Sequence, residues 1–230
     1  MTAGTMVRYR HVVVAALALT LGACGGDDGG KVPTAQDDKA RAQRIVFSEA
    51  DFPDLARQAD DQADDESDPF RKCLNDNQVL VDLGKGPRSA EATFGNEDET
   101  LVRSSAVSLA ESEDDAKAAF DEVSRKTFVG CFEDAITTGF EAGIGENADL
   151  QDLKVDKLSV DKHGDETVAY RATVDVVAAQ EKLSLAFDYV FFRVDRAVAV
   201  LFSFDVAGTF DKADRNRLSE VLTGRMADEV

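Results

Sequence analysis

Apolar residues alternate with polar or small residues in three consecutive stretches of the C-terminal half of the chain. These stretches are Val168–Val176, Leu183–Phe191 and Val198–Val206. A period of two is typical of strands with one buried face, and the short connections predict an antiparallel meander. A further strand is predicted over Leu153–Val160, joined to the first stretch by the turn Lys162–Asp165. This half therefore predicts a four-stranded sheet.

The region ahead of the meander predicts a helix and a second hairpin. The helix covers Phe47–Ala63 and is interrupted near Pro53. Two strands follow over Ala90–Gly95 and Leu101–Leu109, joined by the acidic turn Asn96–Glu99.

Two more helices complete the predicted fold. Ser112 followed by Asp115 is a capping-box pattern, and apolar residues at helical spacing then run as far as Cys131. We expect Gly130 to end or bend that long helix. A final helix over Asp211–Met226 directs four side chains at the sheet, namely Leu218, Val221, Leu222 and Met226. The predicted fold class is α+β, an antiparallel meander sheet packed with helices in the order α-β-β-α-β-β-β-β-α.

The meander predicts one apolar face and one polar face. With loops centred near Gln180 and Asp195, Phe187 lies between Val174 and Phe204 in the core. The opposite face is the candidate binding site, and it carries Arg171, Thr173, Asp175, Asp188, Ser203 and Asp205.

We expect Thr173, Asp188 and Ser203 to form one row, with room above it for a ligand or a partner protein. A face that is simply washed by solvent is the alternative. In either case, replacing Asp188 and Asp205 with alanine should leave the melting temperature nearly unchanged.

The charge of the chain excludes one class of partner. The formal net charge is −19, with 26 basic and 45 acidic residues. Such a surface repels nucleic acid and anionic headgroups, so no nucleic-acid partner is predicted. The acidic stretch over residues 60–68 has carboxylates that suit calcium, but it lacks the glycine of a calcium loop. A solvated acidic face is the alternative for this stretch.

An N-terminal leader precedes the folded region. Arg8 and Arg10 flank an apolar segment over Val12–Leu21 that is too short to cross a hydrocarbon core of ~30 Å as a helix. The run Leu21-Gly22-Ala23-Cys24 resembles the lipobox of bacterial lipoproteins. That resemblance implies cleavage before Cys24, a diacylglyceryl group on its thiol, and a location on the outer side of the cell membrane. An ordinary secretory leader with an incidental cysteine, or a short buried helix, is the alternative.

The leader and the composition divide the chain into three parts. Residues 1–23 are the predicted signal peptide. Residues 24–44 are polar and glycine-rich, and such a chain buries too little surface to offset the entropy of ordering, so a flexible tether is predicted. Residues 45–230 are predicted to form a single domain.

Two cysteines remain once Cys24 carries the lipid. Cys73 and Cys131 form an even pair in an oxidising compartment, which favours a structural disulfide. Free buried thiols and a redox pair are the alternatives, although a redox pair is usually spaced as C-x-x-C, which the chain lacks.

The mature sequence lacks the motifs of several common enzyme classes. It has one histidine, His163, which argues against a histidine metal cluster and against a serine–histidine–aspartate triad. It also has no G-x-S-x-G motif of an α/β-hydrolase. We therefore predict no enzymatic activity, no metal and no cofactor.

Three segments carry a resemblance to a known fold. They are the helix with Ala116–Phe120 leading to Cys131, the hairpin over Phe192–Val200, and the closing helix. The chain resembles the Mog1/PsbP-like α/β sandwich, and in particular the sensor-like extracytoplasmic domains of actinobacterial lipoproteins and of some transmembrane serine/threonine kinases. The resemblance covers roughly residues 45–230 and implies a binding or sensor-like module.

The sequence thus favours a lipid-anchored lipoprotein that recognises a small ligand, an envelope component or a partner protein. A structural or scaffolding lipoprotein without a small-molecule ligand is the alternative. A hydrolase is a more distant one.

Overall fold

A seven-stranded antiparallel sheet forms the centre of the protein in the computed structural model. The structure describes residues 33–230 except 60–72, 75–76, 99, 144–147, 179–180, 207 and 209. The predicted leader, Cys24 and the acidic stretch 60–68 lie outside the described residues. The strands are β1 Ala56–Arg57, β2 Ser89–Gly95, β3 Leu101–Leu109, β4 Ala148–Leu158, β5 Glu166–Ala178, β6 Glu181–Val194 and β7 Ala197–Val206. Their order across the sheet is β1-β2-β3-β7-β6-β5-β4.

Five helices are present among the described residues. They are α1 Ala35–Ile45, α2 Gln78–Val81, α3 Glu113–Ser124, α4 Phe128–Gly143 and α5 Lys212–Glu229. A 3-10 turn spans Glu49–Asp51. Helices α1 and α5 pack against one face of the sheet, and α3 and α4 pack against the other. The predicted α+β fold class is confirmed. None of the helices in these described ranges is long and apolar enough to cross a membrane.

The sheet has a hydrophobic core on each face, because the strands carry apolar side chains at both odd and even positions. Leu201 and Phe192 lie on the α1–α5 side together with Leu222 of α5. Tyr170 and Phe191 lie on the α3–α4 side. The Tyr170 hydroxyl donates to the backbone oxygen of Val123 at 2.7 Å, and burial raises the pKa of Tyr170 to about 12.

The register of the meander differs from the predicted one by two residues on one strand. Phe187 pairs with Phe204 as predicted, but its partner on β5 is Ala172 instead of Val174. A shift of two residues leaves every side chain on its predicted face, because the side-chain period is also two. Phe187 and Phe204 are only partly buried. The prediction that Phe187 and Phe204 lie in the core therefore overstates how far they are buried.

The long helix predicted to end near Cys131 is two helices. Helix α3 ends where Arg125 adopts an extended backbone, and α4 begins three residues later at Phe128. Arg125 donates to the backbone oxygen of Cys73 at 2.8 Å, which ties the break to the disulfide region. Gly130 lies inside α4 and does not end it.

The N-terminal boundary of the folded unit is earlier than predicted. The compact unit begins at Pro33, and residues 35–44 of the predicted tether belong to helix α1. The side chain of Thr34 caps this helix through a capping box, and Ala42 and Ile45 are fully buried in the core. These contacts offset the conformational entropy that the segment loses when it becomes ordered. Its polar composition alone would not offset that loss.

The helix predicted over residues 47–63 is not present in the described part of that range. The chain instead forms the 3-10 turn Glu49–Asp51 and the short strand β1, which pairs with the end of β2. Phe47 and Phe52 anchor this segment in the core, with ring centroids 5.2 Å apart.

The predicted disulfide is confirmed. Cys73 and Cys131 are bonded, with their Cα atoms 5.4 Å apart. The bond joins the segment before α2 to the first turn of α4.

Candidate ligand-binding cleft on the sheet

The six residues of the predicted polar face all lie on the side of the sheet that faces α1 and α5. Asp188 pairs with Arg171 on β5 and with Ser203 on β7, so these three residues form one row. Thr173 belongs to the next row, together with Asp205. The prediction that Thr173 shares a row with Asp188 and Ser203 is therefore wrong, because Arg171 occupies that position on β5.

Asp188 lies at the centre of a buried ion-pair network. Its side chain is 1% exposed, and Arg171 donates to both of its carboxylate oxygens at 2.5 and 2.6 Å. Arg215 of α5 donates a third hydrogen bond at 3.1 Å. The backbone oxygen of Phe210 accepts a bond of 3.4 Å from each arginine. The hydrogen bond to Asp188 raises the pKa of Arg171.

Arg103 of β3 extends the network on the other side of Ser203. Its guanidinium carbon lies 4.4 Å from the ring centroid of Phe210, and one of its terminal nitrogens lies 3.8 Å from an Asp205 oxygen. Burial lowers the pKa of Arg103, and the nearby Asp205 carboxylate partly offsets this effect. Ser203 is 1% exposed, and its hydroxyl has no hydrogen-bond partner in the described part of the chain.

The inner part of the predicted face is therefore closed. Helix α5 and Phe210 cover Asp188 and Ser203, which are inaccessible to a ligand in this arrangement. The expectation of an open polar face is wrong at these two positions. Strand periodicity predicts which side chains share a face, but it does not show which helix covers them.

The outer part of the same region forms a cleft of about 610 Å³. It lies at the end of β5 and β6 that is remote from the Asp195 turn. Two of the predicted residues, Thr173 and Asp175, line it. The other lining residues are Asp152, Val174, Lys182, Leu183, Ser184, Leu185, Ala186 and Gly208.

A hydrogen-bonded group of polar side chains organises this cleft. Asp175 accepts from the Ser184 hydroxyl at 2.6 Å and contacts the Lys182 ammonium group at 2.7 Å. The hydrogen bond from Lys182, followed by the one from Ser184, lowers the pKa of Asp175. The same contact raises the pKa of Lys182. Both groups therefore stay charged at neutral pH.

Asp152 brings a second carboxylate to the cleft from β4. Its backbone has a φ of 53°, a left-handed conformation that aspartate tolerates better than most residues. The pairing of β4 with β5 is irregular between Gln151 and Lys154, where a bulge redirects the strand. Sequence reasoning missed Asp152 and Lys182. The bulge leaves no recognisable signal in the sequence, and the alternating pattern of β6 begins only at Leu183, after Lys182.

The described residues contain no group of three histidine, cysteine, aspartate or glutamate side chains able to hold a metal ion. His163 lies in the loop before β5, where its backbone groups bond the Thr167 hydroxyl and its ring packs against Phe192. The carboxylate of Asp188 is held by two arginines, which leaves it poorly placed to act as a general base. The arrangement of the cleft suits binding by hydrogen bonds and charge.

The chain is similar to known proteins in structure but not in sequence family. No family model matches the chain. No curated protein matches it either. Among solved structures, the chain is similar to the extracellular domain of PknH from Mycobacterium tuberculosis, at 12% sequence identity and a TM-score of 0.45. The match covers 83% of this chain and 97% of that domain.

Proposed function

We propose that this protein is a lipid-anchored extracytoplasmic binding module that recognises a small polar ligand in the cleft formed by β4, β5 and β6. The proposal rests on the cleft in which Asp175 accepts a hydrogen bond from Ser184 and forms an ion pair with Lys182. Ligand sites are typically clefts of about 300–1,000 Å³ with a few positioned polar groups among apolar ones, and this cleft fits that description.

The lining residues indicate the chemistry of the ligand. Asp152 and Asp175 supply acceptor oxygens, while Thr173 and Ser184 supply hydroxyl groups that donate and accept. Among the described lining residues, only Lys182 carries a positive charge. A ligand that presents several hydroxyl or amine donors matches this set better than an anion does.

Two features support an extracytoplasmic location. The disulfide between Cys73 and Cys131 is of the kind that persists in oxidising compartments. The run ending at Cys24 resembles a lipobox, so the membrane is the proposed attachment partner. Two acyl chains on one cysteine meet the requirement for stable anchoring.

Thermal stabilisation by the small-molecule fraction of an envelope extract tests the binding function. A ligand that binds the native state raises the melting temperature of the protein. We expect the extract to stabilise the wild-type protein and Asp134→Asn, since Asp134 is exposed on α4 away from the cleft. Asp175→Asn should lose that stabilisation because it removes the charge that holds Lys182 and Ser184.

Equal stabilisation of all three proteins would contradict binding in this cleft. If no extract fraction, polar or apolar, raises the melting temperature, a scaffolding lipoprotein without a small-molecule ligand is favoured.

A further inference from the structure

A second cleft, of about 930 Å³, lies between α1, β2 and α5. It shares no lining residue with the cleft described above. Its lining residues are Lys39, Gln43, Arg44, Val46, Phe47, Ser48, Glu49, Ala50, Arg57, Gly84, Lys85, Ser89, Ala90, Glu91 and Arg225. We call it the α1 cleft.

The α1 cleft is basic in a strongly acidic protein. Its charged lining residues comprise five cations and two anions, namely Lys39, Arg44, Arg57, Lys85 and Arg225 against Glu49 and Glu91. The whole chain has the opposite balance, with 26 basic and 45 acidic residues. Charge of this kind, concentrated in a concave site, attracts anions locally even though the surface as a whole repels them.

Two of the five cations are fixed in place by carboxylates behind the cleft. Arg225 donates to the backbone oxygen of Val46 at 3.0 Å and to Asp51 at 2.9 and 3.0 Å. Arg44 donates to both oxygens of Glu229 at 2.7 and 2.6 Å. These two carboxylates reduce the positive charge of the region but still leave it one charge in excess.

Lys39 and Arg57 are different, because both are exposed and neither has an ion-pair partner among the described residues. The hydroxyl of Ser89 also lines this region. Ser89 is 1% exposed, and its hydroxyl has no hydrogen-bond partner in the described part of the chain. A buried polar group without a partner costs stability and is commonly satisfied by water or a ligand. The α1 cleft thus combines unpaired cations with an unpaired hydroxyl.

We infer that the α1 cleft binds a phosphate group. Arginine presents a planar fork of donors that matches phosphate oxygens, and lysine adds a second positive charge. Arg57 and Lys39 would supply the donors, while Arg44 and Arg225 add fixed positive charge around them. The phosphate comes either from a free phosphorylated molecule or from a phospholipid headgroup. The headgroup source rests on the proposed lipid anchor at Cys24.

Calorimetric titration of the full-length protein in a neutral detergent tests this site. The probes are inorganic phosphate and glycerol 3-phosphate at constant ionic strength, with acetate as the comparison anion. We expect saturable binding of both phosphates and weaker binding of acetate. Arg57→Gln should weaken phosphate binding about tenfold or more, the effect of losing a charge-assisted hydrogen bond.

Arg217→Gln is the matched control, because Arg217 is an exposed arginine on α5 that does not line the α1 cleft. It should bind phosphate as the wild type does, and Arg57→Lys should restore part of the affinity. Equal losses in Arg57→Gln and Arg217→Gln, or equal binding of phosphate and acetate, would overturn the inference. So would a lack of binding to any phosphate probe.

Vesicle flotation separates the two sources of phosphate. It uses the Cys24→Ser protein, which has no lipid of its own, with vesicles of phosphatidylcholine alone or mixed with phosphatidylglycerol. Binding to the mixed vesicles that depends on Arg57 identifies a headgroup, whereas binding only to glycerol 3-phosphate in solution identifies a free molecule. Because Arg217 lies outside the α1 cleft, Arg217→Gln should leave both results unchanged.

Discussion

Asp188 shows at the residue scale what strand periodicity does and does not predict. The alternation in β6 correctly separates it from Phe187 on the other face. The local sequence does not reveal that Arg215, 27 residues away on α5, reaches the same carboxylate. The expectation that Asp188 tolerates replacement is overturned, since its side chain is 1% exposed and bound by two arginines.

We predict that Asp188→Asn destabilises the protein by about 3–5 kcal/mol, the cost of leaving buried charges without their partner. Asp205→Asn should cost less than about 1 kcal/mol, because Asp205 is partly exposed and lies 3.8 Å from Arg103. Urea unfolding of the two variants measures the difference. Similar midpoints for both variants would contradict the buried network.

Helix α1 shows at the element scale why a polar stretch can still be ordered. Most of its side chains are polar, which predicts a tether, yet Asp38 is fully buried. Arg196 donates to Asp38 at 2.5 and 3.1 Å, and Arg88 also donates to it. Burial alone would raise the pKa of Asp38, but hydrogen bonds from Arg196 and Arg88 outweigh it and the net shift is downward.

Asp38→Asn should therefore release α1 and lower the free energy of unfolding by about 3–5 kcal/mol at neutral pH. The folded-state pKa of Asp38 is below its unfolded value of about 3.9, so its contribution is present above that pH and is lost as the pH falls through the folded-state value. The wild type and the variant should converge in stability in acid. Hydrogen exchange of the α1 amides, measured alongside unfolding, should rise in the variant. Unchanged protection of α1 at neutral pH would refute this role.

The elements that the sequence predicted well are those with a strong local signal. The strand predicted over Leu101–Leu109 has those bounds, and the predicted start of the neighbouring strand is one residue from Ser89. The closing helix was also predicted, because Leu218 and Leu222 repeat at helical spacing. The predictions that failed concern features that depend on tertiary contacts.

The separation of α3 from α4 is one such failure, since the stripe of apolar residues continues through the break. The closure of the polar face by α5 is another. Two of the ten residues that line the candidate cleft on the sheet, Thr173 and Asp175, belong to the predicted binding face. Asp152 and Lys182 come from the β4 bulge and from the start of β6.

At the scale of the whole molecule, we propose an acidic domain that a lipid on Cys24 holds outside the membrane. Because α1 begins at Ala35, only about ten residues separate Cys24 from the folded unit.

Membrane fractionation of the wild type and Cys24→Ser, with the intact mass of each protein, tests the central claim most directly. The wild type should be in the membrane fraction, with a chain that starts at Cys24 and carries the added mass of a diacylglyceryl group. Cys24→Ser should either leave the membrane or keep its leader uncut. A Cys24→Ser protein that has a processed N-terminus and still fractionates with the membrane would contradict lipid anchoring at this residue.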